Sequence, residues 1–189
     1  MVTFDYSLDV GGGNILTGTT KYTATAIAAG GITLQAVVKN TSTTGTNQGL
    51  KSVGFQTTSP ELSTVSFSQQ ALAGDTNVFN NALLNTTFPG FQTVELCVLN
   101  GNNCSGGAQG TTLAEGQTDT FLLGLTFATS AGTPPSFTID GPRIRFKGDL
   151  GSYNFAGTNG DPIPEPSTVL LFGSGLTGLM LWRWKHSKK

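Results

Sequence analysis

The stretch Phe121-Leu122-Leu123-Gly124-Leu125-Thr126-Phe127 decides the fold. Phe121, Leu123, Leu125 and Phe127 share one face of an extended chain, and Leu122, Gly124 and Thr126 share the other. Successive side chains of a strand point to opposite faces, so a period of two sets one face against a core. The same alternation recurs along the chain. Ile32, Leu34, Ala36 and Val38 oppose Thr33, Gln35 and Lys39, and Ile144 and Phe146 alternate with Arg143, Arg145 and Lys147. Val53 and Phe55 follow Lys51-Ser52, while Leu62, Val65 and Phe67 sit among Ser and Thr. Further strands are expected over 3–10, 21–28, 91–99 and 151–155. Turn chemistry separates them: Gly11-Gly12-Gly13-Asn14, Gly30-Gly31, Gly45, Ser59-Pro60, Gly101-Asn102-Asn103, Pro134-Pro135 and Gly141-Pro142. The segment 71–87, with Asn77, Asn80, Asn81 and Asn85, lacks a clear period and is expected to be a loop or a short helix. The sequence therefore predicts an all-β fold, an antiparallel β-sandwich of about 8–10 strands over residues 1–156.

Composition agrees. Charged residues make up only 11% of the 189, and twelve Phe recur at strand-like spacing. A disordered chain would be charge-rich and aromatic-poor, so a folded body with small polar surface residues is the better reading. Its length suffices for one domain with its own core.

The body carries little chemistry. The single histidine, His186, lies near the C-terminus, so the body has no Ser-His-Asp or Cys-His arrangement and no histidine metal site. Glu61, Glu95, Glu115 and the aspartates remain. Two carboxylates suffice for a glycosidase, but scattered ones on a small domain are expected to be surface groups. Asp75, Asn77, Asp140 and Asp149 are loop groups of the kind that bind calcium, without the spacing of an EF-hand. No enzyme activity, cofactor or metal is expected. Arg143, Arg145 and Lys147 place cations on one strand face, read either as a site for acidic polysaccharide or as an edge strand protected by charge. Thr23 and Thr25, and Thr41 and Thr43, are expected at ordinary solvent-facing strand positions.

The last 27 residues differ in kind. Pro164-Glu165-Pro166 precedes an uncharged run from Pro166 to Trp182, and Arg183, Lys185, Lys188 and Lys189 follow. A 17-residue helix spans roughly 25 Å, at the short end of what crosses a bilayer. Flanking Trp182, Trp184 and the basic side chains extend that reach. The alternative is a buried C-terminal helix of a soluble domain. Residues 1–165 hold six Lys/Arg against eleven Asp/Glu, a net charge of −5. The basic tail would stay cytoplasmic, and the acidic body would face outward. Nucleic acid is disfavoured as a partner of so acidic a body. Three parts follow: a β-sandwich over 1–156, a Pro-rich linker over 157–166, and a single C-terminal transmembrane helix with its basic tail over 167–189.

The order Pro-Glu-Pro, apolar span and basic tail resembles the PEP-CTERM sorting signal of bacterial surface proteins. The resemblance covers 163–189, with Pro164, Glu165 and Pro166 as the sorting motif and Arg183, Lys185, Lys188 and Lys189 as the membrane-flanking basic residues. It implies an exosortase partner, insertion of the tail in the membrane before processing, and a cell-surface or extracellular place after it, in company with exopolysaccharide or biofilm. The expected function is that of a non-enzymatic surface or matrix protein. A surface-anchored carbohydrate- or ligand-binding module is the alternative, and an exported hydrolase the third reading. Export requires an N-terminal signal peptide, which the alternating, acidic residues 1–10 do not resemble; the sequence is expected to lack it. A tail anchor with a cytoplasmic body is the rival. In an oxidising compartment Cys97, at the end of an apolar strand, and Cys104, beyond turn residues 101–103, are expected to form a disulfide; in the cytosol they would be free thiols.

Overall fold

The computed structural model describes residues 1–28, 31–90, 93–104, 111–128 and 136–158. Ten strands lie among them: β1 (Val2–Gly11), β2 (Asn14–Ala28), β3 (Gly31–Asn40), β4 (Gly49–Thr57) and β5 (Leu62–Gln69), then β6 (Asn81–Thr87), β7 (Thr93–Leu99), β8 (Thr118–Phe127), β9 (Ile139–Gly148) and β10 (Gly151–Ala156). They form two five-stranded antiparallel sheets, ordered β1-β2-β3-β8-β5 and β10-β9-β4-β7-β6. No helix among the described residues is long and apolar enough to cross a membrane. The expected linker beyond 158 and the membrane helix 167–189 lie outside the described residues.

Alternation builds the sandwich. Phe121, Leu123, Leu125 and Phe127 of β8 are buried between β3 and β5, with Leu123 paired to Leu34 on one side and Phe67 on the other. Leu34 and Leu123 from the first sheet share one core with Leu50, Val53, Ile144 and Phe146 from the second. Across it the Tyr22 ring meets Phe55 edge-on at 5.2 Å. The Tyr6 hydroxyl, also buried, finds Thr20 Oγ1 at 3.0 Å. Burial pushes the pKa of both phenols above the ordinary tyrosine value, with each other's proximity adding to the rise at Tyr6.

Three expectations are corrected. The segment 71–87 holds strand β6, paired to β7, where a loop or short helix was expected. Ala82-Leu83-Leu84 breaks the period of two because both faces are covered: Ala82 and Leu84 pack on the main core, and Leu83 on a second cluster. Gly141-Pro142 is a bulge inside β9 and not a turn; Gly141 has φ +50° and the register to β4 shifts opposite it. Proline lacks a donor and is tolerated in a sheet at such a bulge. Thr41 and Thr43 lie in the loop after β3, while Thr23 and Thr25 sit on the outward side of β2 as expected.

The second cluster lies on the outer side of the second sheet. Phe88, Val94, Cys97, Leu99 and Cys104 are buried together there. Gly54 of β4 makes room: an added Cβ would stand 3.3 Å from the Phe88 ring and 2.9 Å from the Leu96 carbonyl.

Candidate functional site

The hydrolase reading depends on the carboxylates. Glu61, exposed, and Glu95, half-buried, line one open cleft of about 240 Å³ with Gln56, Thr57, Leu62 and Asn85. Glu95 is held by three donors: Leu62 N at 2.5 Å to Oε1, and Thr57 N at 2.7 Å and Thr57 Oγ1 at 2.6 Å to Oε2. It closes the β4–β5 turn. Glu115 does the same for the β3–β4 loop, accepting from Thr44 N and Gly45 N at 3.0 Å each and from the Thr44 hydroxyl. Asp119 is fully buried and accepts from Val78 N at 2.6 Å, Phe79 N at 2.7 Å and Gln69 Nε2. Glu95 and Glu115, expected as surface groups, are half-buried, and each supplies an acceptor to backbone N–H groups of its own fold.

The metal candidates do not converge. Asp140 and Asp149 stand near opposite ends of β9, and Asp149 Oδ2 accepts from Asn47 Nδ2 at 3.0 Å. Asp75 lies in the segment between β5 and β6, bridged to Thr118. Among the described residues no group of three His, Cys, Asp or Glu side chains gathers.

The cations do gather. β9 is an inner strand between β10 and β4, so the edge-strand reading of Arg143, Arg145 and Lys147 is corrected. Their odd spacing turns all three to the outer face, away from Ile144 and Phe146 in the core. Lys51 joins them from β4. It is the extra residue where the register shifts between Leu50 and Ser52, and such a bulge re-aims its side chain. Lys51 and Arg145 are each only 6% exposed. Burial, then Lys147, then Arg145 pull the Lys51 pKa below the ordinary lysine value, and burial lowers that of Arg145. Arg145 donates from Nη1 to the Cys104 carbonyl at 2.9 Å and from Nε to Ser152 Oγ at 3.3 Å.

Cys97 and Cys104 are at disulfide distance, their Cα atoms 6.6 Å apart, with the sulfurs joined over the outer face. Pro164, Glu165, Pro166, Arg183, Lys185, Lys188 and Lys189 lie outside the described residues. Sequence spacing alone showed the three cations of β9. Lys51 was hidden because it comes from a distant strand through a bulge, and a bulge leaves no mark on composition.

By fold, the described body is an antiparallel β-sandwich, with a C-terminal segment of different character behind it. That segment, residues 162–185, matches the family model of the PEP-CTERM protein-sorting motif, and the match is confined to it. No curated protein and no solved structure matches the chain. The motif marks an exported protein sorted through exosortase, its C-terminus anchored in the membrane before processing.

Proposed function

We propose that this is a non-enzymatic cell-surface or extracellular-matrix protein, associated with exopolysaccharide and displayed by processing of its C-terminal signal. The engagement of Glu95 carries the reading. A general acid, base or nucleophile needs an oxygen free to meet substrate, and both Glu95 oxygens already accept from Thr57 and Leu62. Glu61 alone does not make a glycosidase pair.

Replacing Pro164, Glu165 and Pro166 together with alanine should leave uncut protein in the membrane of a host that carries exosortase. Processing and release at the wild-type rate would overturn the sorting half of the proposal. For the non-enzymatic half, purified protein incubated with matrix polysaccharide should produce no new reducing ends. Reducing ends that vanish in Glu61→Gln would establish the hydrolase instead. A second reading, a surface-anchored carbohydrate-binding module, is favoured by the cations gathered on the outer face of β9 and β4.

A further inference from the structure

Four of the six Lys/Arg in residues 1–165 stand on one sheet face of a body whose net charge is −5. Like charges placed together repel, and burying them removes the water that would screen them. Among the described residues the Lys51 ammonium makes no hydrogen bond, and the charges that bear on it are Lys147 and Arg145. The loop that Arg145 holds at Cys104 cannot supply a counter-charge either, since no Asp or Glu occurs between Glu95 and Glu115. A second observation falls in the same place. Arg145 pairs with Asn154 on one side and Ser52 on the other. Ser52 Oγ and Asn154 Oδ1 are both buried without a hydrogen-bond partner among the described residues. Native proteins leave few such atoms, because each costs its lost hydration.

We propose that Lys51, Arg145 and Lys147, with Asn154 and Ser52 beside them, form a binding site for a carboxylated polysaccharide. One carboxylate enters between the three cations, and the sugar hydroxyls on either side of it meet Asn154 directly and Ser52 through water. Two features select this ligand class. Lys51 is only 6% exposed, which favours a compact substituent over a ring as its partner. The acidic body as a whole repels a densely charged polyanion, so spaced charges on a hydroxyl-rich chain fit better than a phosphodiester backbone. The assignment rests on the proposed placement of the body outside the cell, but its test does not.

The test is titration of the purified full-length protein in detergent with polygalacturonate, neutral dextran and duplex DNA, with Lys51→Met and Lys147→Gln alongside. Polygalacturonate should bind, weaken with added salt, and lose at least tenfold in affinity in each variant; dextran should not bind. Lys51→Met should also raise Tm, because the variant sheds a buried charge repelled by its neighbours. At a merely structural lysine the substitution would lower Tm and leave binding alone. Unchanged affinity in both variants, binding of dextran as tight as that of polygalacturonate, or tighter binding of DNA would each overturn the site. Sorting is read in cells and binding on purified protein, so one proposal can fail while the other stands.

Discussion

Asp119 occupies a position that the alternation of β8 assigns to the core: it shares the face of Phe121, Leu123, Leu125 and Phe127. The parity was legible in the sequence; the partners were not, because Val78 and Phe79 come from an irregular segment some 40 residues away. A buried carboxylate is tolerated only when its oxygens are filled, and removing it orphans two buried N–H groups. Asp119→Ala should therefore cost on the order of 3 kcal/mol, against less than about 0.5 kcal/mol for exposed Glu61→Gln, read from urea midpoints. Equal, small losses would show that Asp119 is dispensable. Glu95 and Glu115 were illegible by the same logic: they sit at outward or loop positions where a free carboxylate is the ordinary case. Tyr6 and Tyr22 set a limit at high pH. Their folded pKa values are raised above the unfolded value of 10.0, so the unfolded chain loses protons first and stability falls as pH climbs past that value. Their phenolate absorbance should appear together with the loss of β-sheet circular dichroism. Ionisation of Tyr6 and Tyr22 while the fold persists would contradict their burial.

At the scale of elements, most strands announced themselves by a period of two or by an apolar run bounded by turns, and β6 did not. β3 and β8 alternate cleanly, and their extents were legible to within a few residues. β6 was missed because Leu83 serves the second cluster while Ala82 and Leu84 serve the first, and a run of three apolar residues carries no period. The cysteine pair belongs to this second cluster. Its loop is short, with a sequence separation of seven, so closure constrains the unfolded chain by about 2 kcal/mol. Exported protein should yield, without reductant, a linked peptide lighter by two hydrogens, and reduction should lower the urea midpoint by a corresponding amount. Two alkylatable thiols in native exported protein would remove the cross-link from this account.

On the scale of the whole molecule, the sandwich ends in a clamp. Gly157 N donates to the Pro142 carbonyl at 2.8 Å, and Thr158 exchanges backbone hydrogen bonds with Asp5 on the edge of β1, at 2.9 and 3.3 Å. The first two residues of the 157–166 linker are thus bonded to the body. A chain cut after 158 should be soluble, β-rich and cooperative on heating; one cut after 156 should be less stable by about 1–2 kcal/mol. An unfolded 1–158 would make the tail part of the core and end the membrane-span reading. The clamp also gives the molecule a polarity. Thr158 runs antiparallel to β1, so at that point the chain is heading toward the Met1 end of the sandwich. The described chain therefore leaves the sandwich, at Thr158, pointing to that pole. The Gly12-Gly13 hairpin tip and the β9–β10 turn at Asp149-Leu150 occupy the opposite pole, and Lys51 and Lys147 stand beside that turn. On a cell, an epitope inserted between Gly12 and Gly13 should be readable by antibody from outside, and the cations would be presented to the surroundings, not to the membrane.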